Sequence, residues 1–70
     1  MRSNQYSKAV DRFKQILVNN PSNTKAQFYL AVSLVELGKN EEARKILIEV
    51  KQKEKDPTVQ QAIAELEQRL

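Results

Sequence analysis

Apolar residues return at spacings of three and four along most of this chain, and polar turn residues interrupt them three times, which predicts four amphipathic helices. The first is predicted over about Gln5 to Asn19, with Tyr6, Ala9, Val10, Phe13, Ile16 and Leu17 on one broad face. Asn19-Asn20-Pro21 ends it, because the residue before a proline is pushed out of the helical region. Ser22 or Asn23 is a suitable N-cap for the second helix, which carries Ala26, Leu30, Leu34 and Leu37 on one side and Phe28, Val32 and Val35 on another. Gly38 supplies the left-handed residue that closes it.

Asn40 is expected to cap the third helix, with Glu41 and Glu42 favouring the positive end of its dipole and Ala43, Ile46, Leu47 and Val50 forming its buried stripe. Lys51, Lys53 and Lys55 suit its carbonyl end, with fraying expected after about Gln52. Asp56-Pro57 reads as an N-cap followed by proline at the first helical position. The fourth helix then buries Val59, Ala62, Ile63, Leu66 and Leu70. Short linkers between the segments favour antiparallel neighbours.

Seventy residues with a single glycine and two prolines bound this to one small all-α domain. The chain has neither Cys nor His, so disulfides, thiolate or imidazole metal sites and nucleophile–His pairs are excluded. Glu41 and Glu42 lie on different helix faces and serve the dipole better than acid–base chemistry. With Gly38 the only glycine, there is no phosphate-binding loop, so no cofactor and no enzyme activity is expected. No apolar run approaches the roughly 20 residues of a membrane span, so the chain reads as soluble and a cytoplasmic location fits. An export signal removed earlier would leave the same sequence.

The net charge of +3 is unevenly spread. Arg2, Lys8, Arg12, Lys14 and Lys25 face only Asp11 in the first half, whereas the second half is nearly balanced. A solvated helix face is the plainer account of this bias. A small basic helical nucleic-acid-binding module is the alternative, without aromatic interleaving or an Arg-rich stripe to strengthen it.

Small residues and prolines recur near a period of 34 residues. Ala9, Phe13 and Pro21 fit Ala-x3-Phe…Pro, and Ala43 and Leu47 fit its first two positions one period later. Gln27-x2-Leu30-Ala31-x2-Leu34 matches Trp-x2-Leu-Gly-x2-Tyr with Leu kept and Ala in the small position, and Ile63-x2-Leu66-Glu67-x2-Leu70 repeats it two residues late, as Pro57 is late. The chain therefore resembles the tetratricopeptide repeat (TPR) family. An unrelated four-helix bundle gives no reason for the echo by which Pro21 and Pro57 each precede a leucine nine positions on, Leu30 and Leu66.

The resemblance implies four antiparallel helices stacked as a short right-handed helical-hairpin solenoid: the second helix of one repeat (5–19), a complete hairpin (23–54) and a C-terminal capping helix (57–70). It implies a protein-interaction scaffold whose groove is lined by Lys25, Phe28, Tyr29, Val32, Val35 and Glu36, and by Gln61, Ala64, Glu65 and Gln68. Members that clamp a carboxylate use Lys and Asn there. Here Phe28 and Val32 hold the centre and only Lys25 is available, so an apolar groove for a partner helix or hydrophobic peptide is expected. The same apolar residues equally suit packing against a neighbouring first helix.

Asn4 falls at the place of Gly38, which makes Met1 to Ser3 the stub of a preceding helix. The face of Tyr6, Val10, Phe13 and Leu17 is then expected to lack cover and to drive self-association, as a homo-oligomer or within a longer repeat array. Glu67, where Ala31 allows close contact, marks the fourth helix as a cap.

Overall fold

A computed structural model describes residues 2–70, with side chains treated from Gln5 onward. Four helices follow one another: α1 (Arg2–Asn19), α2 (Thr24–Glu36), α3 (Asn40–Lys53) and α4 (Pro57–Gln68). The ends are set by local chemistry. Asn23 caps α2, its side-chain oxygen accepting from the Ala26 N–H at 3.1 Å. Asp56 caps α4, accepting from the Thr58 N–H at 2.9 Å, with Pro57 in the first turn. Asp56→Ala is expected to cost about 0.5–2 kcal/mol, read as a lower urea midpoint; a midpoint equal to wild type would mean that α4 starts without this cap.

Between α2 and α3 the chain reverses through Gly38 at φ 80°, among the described residues the one backbone position in the left-handed region. The Lys39 N–H donates to the Leu34 carbonyl (2.8 Å) and the Gly38 N–H to that of Val35 (2.9 Å). This paired closure satisfies carbonyls that a helix end leaves bare.

Three boundaries differ from the sequence reading. α3 begins at Asn40 with Lys39 at the cap position and no side-chain cap bond, because the closure of α2 fixes the backbone up to Lys39. Its other end runs to Lys53, one residue past the expected fraying point. α1 starts at Arg2, so Asn4 and Ser3 are helical and no turn occurs at Asn4; Met1 lies outside the described residues.

Cross-links between helices fix their directions. Thr24 at the start of α2 donates to Glu54 just beyond α3 (2.6 Å), and Gln27 to Glu49 (3.2 Å), so α2 and α3 are antiparallel. Arg44 donates to the Leu70 carbonyl (3.0 Å) while Gln60 donates to that of Lys51 (2.9 Å), so α3 and α4 are antiparallel too. α2 and α4 therefore run the same way, side by side.

One core joins all four: Val10 from α1, Leu30, Ala31 and Leu34 from α2, Ala43, Leu47 and Val50 from α3, and Ile63 and Leu66 from α4. Ala31 and Ala43 are wholly buried, as small residues at a close helix crossing must be. α1 packs on α2, and Phe13 and Leu17 rest against the core that Val10 enters. Tyr6 is half-buried. On the face expected to lack cover, Val10 is buried and Tyr6, Phe13 and Leu17 are half-buried.

Candidate interaction cleft

α2 and α4 lie side by side without packing tightly, since each leans on α3. The space between their N-terminal halves is a cleft of about 230 Å³ lined by Lys25, Phe28, Tyr29, Thr58, Val59 and Ala62. Its α2 wall is braced by an aromatic series. Phe28 meets Tyr29 edge-on (centroids 5.7 Å apart, 62°), and Tyr29 stacks on Phe13 of α1 (5.8 Å, 23°). Both are favourable aromatic geometries, and together they fix the ring positions. At the C-terminal ends of the same two helices, Arg69 bridges to Glu36 at 2.9 Å.

Glu54 stands close to the Lys25 rim. The Thr24 hydroxyl donates to its carboxylate at 2.6 Å, and with help from the Asp56 N–H this holds the Glu54 carboxyl below its ordinary pKa. A carboxyl with a lowered folded-state pKa stabilises the fold above its unfolded pKa, and this support is lost as pH falls through the folded value. Thr24→Val is expected to return Glu54 towards the ordinary carboxylate range. The check is a carboxyl NMR titration, and an unmoved Glu54 would mean that the hydroxyl is not the cause.

The sequence-derived groove residues divide into two groups. Lys25, Phe28 and Tyr29 come together in the cleft, Val32 and Val35 are half-buried against the core, and Glu36 is held by Arg69. Gln61, Ala64, Glu65 and Gln68 are exposed and do not line the cleft. Its α4 wall is Thr58, Val59 and Ala62 instead, because that flank of α4 turns towards α2. Glu67 pairs with Lys51 of α3 at 3.4 Å. Gln27, at the tryptophan position of the repeat pattern, is 7% exposed; its amide donates to Glu49 while its oxygen has no partner among the described residues.

Two other hollows lack facing walls. One of about 540 Å³ runs along α1 past Arg12, Ile16 and Val18, and one of about 330 Å³ follows the turn from Gly38 to Glu42. The basic residues Lys8, Arg12 and Lys14 are exposed on α1. Among the described residues no three potential metal ligands converge, and no helix is long and apolar enough to cross a membrane.

No curated protein and no solved structure matches this chain. A family model described as tetratricopeptide repeat matches residues 1–66. That match covers α1, the α2–α3 hairpin with its wholly buried Ala31 and Ala43, and most of α4. This chain belongs to the tetratricopeptide repeat family.

Proposed function

We propose that this chain binds a peptide or helix of another protein in the apolar cleft between α2 and α4. Repeats of this family are in general protein–protein interaction modules and are typically non-catalytic. The observation that carries the reading is the cleft itself: Phe28, Tyr29, Val59 and Ala62 present apolar surface between two helices that α3 holds apart. Core packing leaves Tyr29 exposed and Phe28, Val59 and Ala62 half-buried there, apolar surface that a partner can cover. A helix or extended segment laid along α2 and α4 buries it.

Ala62→Trp tests the reading by filling the space from the α4 side. Peptides selected from a displayed random library on the wild-type chain are expected to lose at least about tenfold in affinity for this variant. Its thermal melt should stay close to wild type, since Ala62 is only half-buried. Selected peptides that bind both proteins equally would place the partner surface elsewhere.

A further inference from the structure

The size and the charge of the cleft narrow the class of occupant. We infer that the partner is a foreign protein segment that inserts one large apolar side chain between α2 and α4 and sets an Asp or Glu carboxylate beside Lys25. This rests on the cleft being the partner site.

Its volume of about 230 Å³ is below the roughly 300–1,000 Å³ typical of small-molecule and cofactor sites. It suits a single anchoring side chain, the arrangement in which interface energy concentrates. The cleft is also short. Its walls come from the N-terminal halves of α2 and α4, and the Arg69–Glu36 pair ties the two helices together at their other ends.

Lys25 is the one charged side chain in the lining, and it forms no ion pair among the described residues. Glu54 is the acid whose carboxyl feels its charge; the Thr24 hydroxyl and the Asp56 N–H favour its ionised form, and it makes no ion pair with Lys25. A ligand that fills the cleft lowers the local dielectric around the ammonium, so a carboxylate there gains more than it would in open solvent. A segment that runs through the cleft without ending in it offers side-chain carboxylates only, so an Asp or Glu next to the anchor is the group that meets Lys25.

A second copy of the chain is the competing occupant, and its charges are wrong. Its exposed large apolar side chains are, among the described residues, Ile16, Val18, Tyr29 and Ile48. One turn from the first three stand Arg12, Lys14 and Lys25, and one turn from Ile48 stand Arg44 and Lys45, with Lys51 paired to Glu67. Each of them would carry positive charge towards Lys25.

Random displayed peptides selected in parallel on wild type and on Lys25→Glu test the inference. The wild-type pool is expected to share one large apolar residue beside Asp or Glu. These peptides should bind at least about tenfold more weakly to Lys25→Glu and to Ala62→Trp, and the Lys25→Glu pool should exchange its acids for Lys or Arg. Lys25 is exposed, so this variant is expected to keep the wild-type melt. Peptides weakened by Ala62→Trp that show no acidic preference, and are indifferent to Lys25→Glu, would overturn the inference and leave the cleft as the partner site. Peptides indifferent to Ala62→Trp, or no enrichment at all, would overturn both. Dimerisation of the wild type that Ala62→Trp abolishes would replace the foreign segment with a second copy.

Discussion

Leu47→Ala is expected to leave the chain largely unfolded at room temperature. Leu47 is fully buried on α3, in the cluster that joins α2, α3 and α4, and it is among the largest side chains sealed from solvent, with Leu34, Val50 and Ile63. Truncating such a leucine costs about 2–5 kcal/mol, the lost transfer energy plus the cavity left behind. A single core in a chain of this size rarely supplies more than about 3–5 kcal/mol. The loss is therefore comparable with the whole stability. Ile48→Ala is the control: it lies one residue on, is 55% exposed, and should change stability by no more than about 0.5 kcal/mol. Circular dichroism melts of the two variants settle the point, and a Leu47→Ala melt matching that of Ile48→Ala would mean that α3 is not the centre of the core.

Ala43→Leu has the next largest expected effect and tests the opposite failure. Ala43 and Ala31 are both wholly buried where α2 and α3 cross. Additional methylenes there force the helices apart or drive side chains off their rotamers, at a cost of about 1–3 kcal/mol. Leucine forms helix almost as well as alanine, so intrinsic propensity offers little explanation for a loss of that size. The urea midpoint is the readout. An unchanged midpoint would mean that α2 and α3 do not approach closely at this pair.

The features legible in the sequence were those decided by chemistry within a few residues. Asn23, Asp56-Pro57 and Gly38 mark helix ends because a cap needs an accepting side chain and a left-handed turn favours the residue without a Cβ. The same logic failed where the neighbouring element decides. Asn40 looked like a cap, but the two hydrogen bonds that close α2 at Gly38 and Lys39 start α3 one residue earlier than a cap at Asn40 requires. Asn4 resembled a turn residue by repeat position, and nothing local prevents the helix from running through it.

Burial was readable from periodicity, with Leu30, Leu34, Leu47, Ile63 and Leu66 all inside. Ile46, Val59, Ala62 and Leu70, expected inside, are only half-buried, while the polar Gln27 and Ser33 are buried, Gln27 against α3 through Glu49 and Ser33 with its hydroxyl on the Tyr29 carbonyl. The cleft was only half legible. Its α2 wall of Lys25, Phe28 and Tyr29 follows from which face of α2 the core leaves over. Its α4 wall depends on how α4 is rotated on α3, which Ile63, Leu66 and the bonds from Arg44 and Gln60 fix together. That rotation brings Thr58, Val59 and Ala62 to the cleft and leaves Gln61, Ala64, Glu65 and Gln68 in solvent. The apolar spacing of α4 already set Val59 and Ala62 on the inward face with Ile63 and Leu66, whereas Gln61, Ala64, Glu65 and Gln68 were expected from the family resemblance alone.

Amide chemical-shift mapping during titration with a selected peptide tests most directly whether the space between α2 and α4 is where a partner binds. The largest shifts are expected at 25–29 and 58–62, the two walls of the cleft. Largest shifts around Ile16 and Val18 on α1, or around Ile48 on α3, with the cleft residues unmoved, would contradict that assignment.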